Sequence, residues 1–280
     1  MLNYKKSEIH GHRGCRGYFP ENTIQGFTHA LTLNTTAIEL DVVVSKDLKV
    51  VVSHEAFMHH KKCLKPNLRP INRVEEAKLI LYDMNYEEIK QYDCGLLAHP
   101  NYPLLKTGTA YKPLLSEVIE TVDSACNKMA RTPITYNIEI KSEAYLVGQV
   151  QPEYVLYVKL VLEIIAKYNI QNRVIIQSFD KEILRTIHQI NTNLPLSLLI
   201  EDALDPFEHI DQLGFIPDIL ASYYVFLNED NINKLQAQSI KVFAFTVNEM
   251  NDIQEMLKMG VDAIISDYPD MVAQCQLAYI

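Results

Sequence analysis

The chain has 280 residues, 48% of them apolar, and a formal net charge of −9. That length holds one large α/β barrel or two smaller domains, and the apolar share is enough for a sizeable core. The negative balance argues against nucleic acid as a partner, since phosphate contacts need a basic stripe, so an anionic substrate would be drawn in by local cations or a metal ion.

The first segment, Met1 to Glu8, lacks the apolar stretch of a signal peptide, and no run of ~18 apolar residues marks a membrane span. A cytoplasmic protein is expected, or a periplasmic or secreted one if a leader has been removed. The first β-rich run ends at His10–His12 and is followed by Arg13-Gly14. Gly14 and Gly17 let the loop backbone turn and approach closely. Pro20 brakes the loop, and Asn22 or Thr23 caps a helix over Thr23–Leu33. Glu21 reads equally as a structural residue or as a group near a metal or a substrate hydroxyl.

The second run, Ile38–Val44, carries Glu39 and Asp41. Residues two apart on a strand share a face. Two carboxylates side by side inside a barrel repel and lose hydration, which is costly unless a cation joins them. Oxygen-only ligands favour a hard ion, Mg²⁺ or Ca²⁺. The next run, Val50–His54, pairs antiparallel with the second or extends it, and ends on His54.

From Glu55 to Pro113 there is no clean strand, and one short helical piece at Asn85–Tyr92. A structureless loop of that length is rare in a compact domain unless functional, so it reads as a small insertion over one mouth of the barrel, on the catalytic face. His59-His60 near Cys63 matches no standard zinc spacing. Cys63 and Cys94 bracket part of this segment and could pair, although two unlinked thiols are the expectation; five cysteines, an odd number, fit a reduced compartment.

Beyond the insertion, runs at Ile134–Ile140, Val174–Ser178, Leu196–Ile200, Ile219–Tyr223, Val242–Val247 and Ala263–Ser266 alternate with helical stretches. The clearest helices are Leu115–Met129, Pro152–Tyr168, Lys181–Ile190, Asp230–Gln238 and Asn248–Met259. About eight strand–helix units predict a closed parallel barrel rather than an open doubly wound sheet. His29 and His188 fall inside helices and are expected at the surface.

Glu139 and Lys141 repeat the i, i+2 geometry on the third barrel strand. Glu139 would supply a third metal oxygen, and Lys141 a point charge for a phosphate oxygen. His12 and His54 end separate strands and suit a proton acceptor and a proton donor near neutral pH. Arg13 offers a planar fork of donors to phosphate.

Taken together, these residues resemble the glycerophosphodiester phosphodiesterase family. The similarity covers His12-Arg13-Gly14, Pro20-Glu21-Asn22-Thr23, Glu39-Leu40-Asp41, Ser53-His54, Glu139-Ile140-Lys141, Gln177-Ser178-Phe179, Phe245-Thr246-Val247-Asn248 and the closing run Gly260 to Pro269. The resemblance implies a (β/α)8 TIM barrel over 1–280, with the insertion at about 55–113 after the second barrel strand. It implies one divalent metal ion, Mg²⁺ or Ca²⁺, on Glu39, Asp41 and Glu139. His12 and His54 would be the acid–base pair, and Arg13 and Lys141 the phosphate clamp. The family reaction releases sn-glycerol 3-phosphate and an alcohol such as choline or ethanolamine. Two departures stand out: Glu55 follows the second histidine where the family usually has Asp, and Phe245 stands where it often has Trp, so a substrate-facing apolar wall is kept without an indole donor. The partner implied is a small glycerophosphodiester, with neither nucleic acid nor a transmembrane segment; a homodimer is left open. A lysophospholipase D-like activity would need an apolar lip, whereas the insertion is polar and tyrosine-rich. A non-catalytic phosphodiester-binding barrel would lack one of the histidines or carboxylates, and all are present.

Overall fold

The computed structural model describes residues 6–190 and 193–278, so residues 1–5 of the segment expected to lack a signal core lie outside the described residues. In chain order its elements are β1 (Glu8–Gly11), α1 (Ile24–Ala30), β2 (Ala37–Val44), β3 (Val50–Val52), α2 (Arg73–Glu76), α3 (Tyr86–Ile89), α4 (Leu115–Lys128), β4 (Thr135–Ile140), α5 (Tyr154–Lys167), β5 (Val174–Ser178), α6 (Lys181–Gln189), β6 (Leu196–Ile200), α7 (Pro206–Leu213), β7 (Ile219–Tyr223), α8 (Glu229–Ala237), β8 (Lys241–Phe245), α9 (Met250–Met259), β9 (Ala263–Ser266) and α10 (Pro269–Ala278).

Eight of these strands form a closed parallel ring, with β9 pairing back onto β1 and β1 onto β2. Helices cross over between them, as parallel strands require. β4 occupies one edge of β2 from Ala37 to Val42, while β1 takes the other edge only at Ala37 and Ile38. The upper part of that second edge is free, and β3 fills it antiparallel through Val42↔Val52 and Val44↔Val50. The Val50–His54 run is therefore a pairing partner of the second strand and stands outside the ring.

Local chemistry explains the helix boundaries. The Gly26 N–H donates to Thr23 Oγ1 at 3.1 Å, so Thr23 caps α1 and Asn22 is released for another task. Helices α7 and α10, absent from the expected set, both open on a proline, a residue suited to the first helical turn. Asp205 caps α7, and Gly214 ends it at φ 85°. His188 is exposed and stacked on Phe215, but His29 is half-buried against Phe19 at 4.6 Å, so only one of the two is a surface residue.

Outward residues of the ring, such as Ile38, Leu40 and Val42, bury against the helices in one continuous core. Inside the ring the filling is lopsided. Strands β5 to β9 contribute an apolar plug of Ile175, Leu199, Ile219, Ala221, Phe243 and Ala263. Strands β1, β2, β4 and β5 contribute buried His10, Glu39, Asn137 and Gln177. These polar groups are linked in a chain, with Asn137 Oδ1 left unpartnered: Glu8 Oε2 to His10 Nε2 at 3.3 Å, His10 Nδ1 to Asn137 Nδ2 at 3.4 Å, Asn137 Nδ2 to Gln177 Oε1 at 3.1 Å, and Gln177 Nε2 to Glu39 Oε1 at 3.1 Å. The polar half of the interior thus rises directly into the carboxylates at the mouth.

The segment after β3 is folded rather than loose. Met58, Ile71, Leu81, Tyr86 and Ile89 form a small core against Val43 and Val51, on the face of β2 that also carries Glu39 and Asp41. In place of the single helical piece expected there are two one-turn helices, α2 and α3, both with capping boxes. Lys106 N–H donates to the Tyr18 carbonyl and Tyr102 Oη to Asp267, which set this segment against the loops following β1 and β9. No helix among the described residues is long and apolar enough to cross a membrane.

Candidate active site

Glu39 and Asp41 both point inward from β2, as the i, i+2 spacing predicted, and register pairs Asp41 with Glu139 on β4. One oxygen from each of the three carboxylates lies within 4.8 Å of the others. Glu39 Oε2 accepts the Arg13 backbone N–H at 2.8 Å, and Glu139 Oε1 accepts from Lys141 Nζ at 2.6 Å. Asp41 Oδ2 accepts from Asn22 Nδ2 at 2.8 Å, but the buried Asp41 Oδ1 has no partner. An orphaned carboxylate oxygen inside a cage of carboxylates is what a bound cation would satisfy, and the all-oxygen set suits a hard divalent ion.

The electrostatics agree. Burial, then the charges of Asp41 and Glu139, push the Glu39 carboxyl well above its ordinary range. Burial and the Asp41 charge also raise Glu139, against the pull of Lys141. Burial would raise Asp41 as well, but Arg13, His54 and Lys141 outweigh it and hold Asp41 ionised. The protein alone leaves this cluster short of positive charge.

His12 sits at the mouth with Nδ1 2.6 Å from Asp267 Oδ1 and Nε2 3.9 Å from Glu39 Oε2. Asp267 Oδ1 also accepts from Arg16 Nε at 2.6 Å, and Oδ2 from Asn248 Nδ2 at 2.8 Å. Burial, followed by the Arg16 charge, lowers the His12 imidazole to about 4 despite the Asp267 carboxylate. The ring is therefore neutral at pH 7. Its proton resides on Nδ1, facing the carboxylate, which leaves the Nε2 lone pair directed at the pocket.

His54 is more open, with its side chain 31% exposed, and its Nδ1 lies 3.1 Å from Glu55 Oε1. Lys62 Nζ clamps Glu55 Oε1 and Glu21 Oε1 at 2.5 and 2.7 Å, and buried Lys112 donates to Ser53 Oγ at 2.8 Å. Glu21 in turn accepts from Arg13 Nη1 at 3.1 Å, so it anchors two cations.

His12, Arg13, Glu39, His54, Glu139, Lys141 and Phe245 all line one pocket of 240 Å³ at the C-terminal end of the barrel, where enzymes of this architecture carry their sites. Asp41 lies just behind it, 1% exposed. Phe245 meets Phe179 edge-on at 6.0 Å and lies 6.5 Å from Tyr223, so the far wall is aromatic. Arg16, Gln177, Glu201 and Tyr223 line the same pocket and carry no signal in local spacing. Asp267 is a further residue of the site that local spacing does not reveal. His12 and Asp267 are 255 positions apart, and only the β1–β9 register, Gly11↔Ser266, makes them neighbours. Ring closure is the one signal in the sequence that could have found the pair: the first and last strands of a barrel must touch. Away from the pocket, His59, His60 and Glu76 come within 4.8 Å in space, but Glu76 Oε2 is already taken by the His60 backbone and ring.

Known proteins resemble this chain along nearly its whole length. The model of the glycerophosphoryl diester phosphodiesterase family matches residues 12–271. A glycerophosphodiester phosphodiesterase of Bacillus altitudinis is 30% identical over 268 residues, 94% of this chain and 96% of that protein. A Silicibacter pomeroyi DSS-3 structure assigned as a glycerophosphoryl diester phosphodiesterase superposes with a TM-score of 0.87 at 24% identity, covering 98% of this chain and 94% of its own. An Oleispira antarctica phosphodiesterase, solved in complex with the product sn-glycerol-3-phosphate, superposes with a TM-score of 0.75 at 20% identity over 96% of both chains.

Proposed function

The chain belongs to the glycerophosphoryl diester phosphodiesterase family, and we propose that it hydrolyses small glycerophosphodiesters to sn-glycerol 3-phosphate and an alcohol, with one divalent ion and two histidines. The observation that carries the reading is the buried triad Glu39, Asp41 and Glu139, with an unpartnered Asp41 oxygen, in a pocket that two histidines and three cations line. The product found in the Oleispira antarctica neighbour supports glycerol phosphate as the retained fragment.

Glu39, Asp41 and Glu139 would hold the metal. When bound, the ion supplies Lewis-acid polarisation of a phosphoryl oxygen and offsets charge that develops there. Mg²⁺ and Ca²⁺ both suit three carboxylates. Lys141, Arg13 and Arg16 surround the phosphate position and counter its remaining charge. His12, neutral and held in one tautomer by Asp267, accepts a proton at Nε2 from the attacking hydroxyl. That hydroxyl belongs to water or to the neighbouring glycerol carbon. His54, beside the Glu55 carboxylate, delivers a proton to the departing alkoxide. Phe245, Phe179 and Tyr223 exclude water from one side of the pocket. A 240 Å³ pocket is below the usual span of roughly 300–1,000 Å³ for drug-sized ligands, which fits a polar head-group diester better than a long acyl chain. The reading takes the chain as one barrel domain with the 55–113 segment as its cap.

The test is release of sn-glycerol 3-phosphate from glycerophosphocholine and glycerophosphoethanolamine, with EDTA and then with Mg²⁺ or Ca²⁺ restored. Metal-restored release supports the proposal. Release of acylated product from lysophosphatidylcholine alone would replace the substrate class. Undiminished turnover in His12→Ala/His54→Ala would overturn the catalytic pair.

A further inference from the structure

The cap holds a second chemical feature that turnover does not use. Leu64 and Asp93 exchange both backbone hydrogen bonds, Leu64 N to Asp93 O at 2.7 Å and Asp93 N to Leu64 O at 3.1 Å, and so form an isolated antiparallel bridge. In such a ladder the adjacent residues, one back and one forward, form a non-hydrogen-bonded pair with Cα atoms about 4.5 Å apart. Here that pair is Cys63 and Cys94. Their own N–H groups point elsewhere, Cys63 to the His59 carbonyl and Cys94 to the Ala110 carbonyl, as the position requires. A Cα separation of about 4.5 Å lies inside the range a disulfide accepts. The two sulfurs are already in contact at 2.7 Å. Both are free thiols, Cys63 buried and Cys94 half-buried.

The surroundings suit redox chemistry. Cys94 lines two small clefts of the cap, one shared with Arg16 and Tyr102 and one with His54 and Lys112. The hydrogen bond from Cys94, with help from the Lys112 ammonium, holds the Cys63 thiol below its ordinary range. Cys15, Cys126 and Cys275 are buried at separate sites and have no such partner thiol among the described residues.

We propose that Cys63 and Cys94 are a reversible cross-strand redox couple, whose disulfide staples the cap beside the active site. The oxidant is a low-molecular-weight disulfide such as oxidised glutathione. Cys94 passes its S–H proton to the Cys63 thiolate across the S–H···S contact as it attacks one sulfur of the oxidant, and the proton that Cys63 had lost goes to solvent. The oxidant's S–S bond breaks, a mixed disulfide forms, and one glutathione thiolate leaves and takes up that proton from solvent. Cys63 then attacks the Cys94 sulfur and loses its own proton to the second departing glutathione. Two protein thiols are oxidised by two electrons, and one oxidant disulfide is reduced to two thiols. The new bond closes a loop that spans α2 and α3, with Cys63 and Cys94 31 positions apart. Lys62, the residue before Cys63, ties Glu21 to Glu55, so the staple borders the loops that hold Arg13 and His54.

The experiment is titration of the full-length protein against mixtures of reduced and oxidised glutathione. Thiols are then counted after denaturation and linked peptides mapped by mass. The expected result is loss of two of the five thiols per chain, with one Cys63–Cys94 cross-link that dithiothreitol reverses. Proteolysis between residues 64 and 93 should slow by on the order of 10²-fold in the oxidised protein, because closing a loop of this size removes open conformers. Cys94→Ser should abolish both changes and keep metal-dependent turnover; Cys63→Ala is the second variant should the first fold poorly. Five thiols at every poise, a persistent glutathione adduct on Cys94, or a cross-link to another cysteine would each overturn the proposal.

Discussion

Asp267→Asn is the perturbation that most directly probes the proposed role of His12 as the base. Asp267 Oδ1 accepts from His12 Nδ1 and Arg16 Nε, both at 2.6 Å, and Oδ2 accepts from Asn248 Nδ2 at 2.8 Å. An amide has one acceptor oxygen. Turned one way, its NH₂ faces His12 and Arg16; turned the other, it faces Asn248. The first orientation drives His12 to the tautomer with the proton on Nε2 and removes the lone pair that takes the substrate proton. Loss of a positioned base costs about 10²–10⁴ in rate, and an analogous Asp→Asn change that flips a histidine tautomer costs about 10⁴. At 1.36 kcal/mol per decade this is roughly 3–5 kcal/mol of transition-state stabilisation. KM should move little, because Asp267 does not line the pocket. The pH dependence gives the sign. A base works deprotonated, so activity should rise through the His12 value of about 4 and stay level above it. Asp267 supplies the charge that raises His12, so in the variant the acid limb shifts to lower pH while the plateau drops. Steady-state kinetics from pH 3.5 to 8 with saturating metal read both. A variant with kcat within threefold of the parent and an unmoved acid limb would refute the assignment, as would full multiplication of the Asp267→Asn and His12→Ala losses in the double variant.

Glu39→Gln should raise the melting temperature of metal-free protein at pH 7.5 by a few degrees, since Glu39 has a folded value raised by burial and by Asp41 and Glu139. Such a group favours the fold at low pH and costs stability as pH climbs above the unfolded value of about 4.3. The same variant should lose the metal-induced rise, about 5 °C in the parent at 100-fold excess over Kd, checked by calorimetry with and without EDTA. Phe243→Ala, at the centre of the apolar plug and 5.0 Å edge-on from His10, should cost about 3–5 kcal/mol in urea unfolding. Glu201→Gln removes the exposed carboxylate on the pocket's β6 side and should raise KM two- to fivefold, by rough estimate, for diesters with a cationic alcohol, but not for a neutral one; the effect is small because the group is solvated. Equal changes for both diesters would remove Glu201 from head-group recognition.

Much of the site was legible from spacing alone. Glu39 and Asp41 share a face because strands repeat every two residues, and Glu139 with Lys141 follows the same rule on β4, in register with β2. His12 could be placed because strand ends in a barrel converge on one mouth, whereas His54 reaches that mouth from β3, outside the ring and antiparallel to β2. The start of α1 was readable to within a residue, while its end, Ala30, falls three residues short of the expected Leu33, and sequence could not choose between Asn22 and Thr23 as its cap. The choice fell to Thr23 because Asn22 is pulled inward by Asp41. The cap was legible only as an interruption of the strand–helix rhythm. Its small core on Val43 and Val51 is built from contacts between segments tens of residues apart, which no local periodicity records.

The sequence by itself determined the kind of fold, through the order of its strand–helix units, and the clustering of Glu39, Asp41 and Glu139, through short-range alternation along β2 and β4. Only the tertiary structure brought Asp267 to His12 and Arg16 to Asp267, across the closure of β9 onto β1, and the proposal of His12 as the base rests on that contact. It also decided that Cys63 and Cys94 touch, through one antiparallel bridge between Leu64 and Asp93. Both are consequences of register between strands distant in sequence, and register is set by how the whole sheet and its cap bury their apolar faces together.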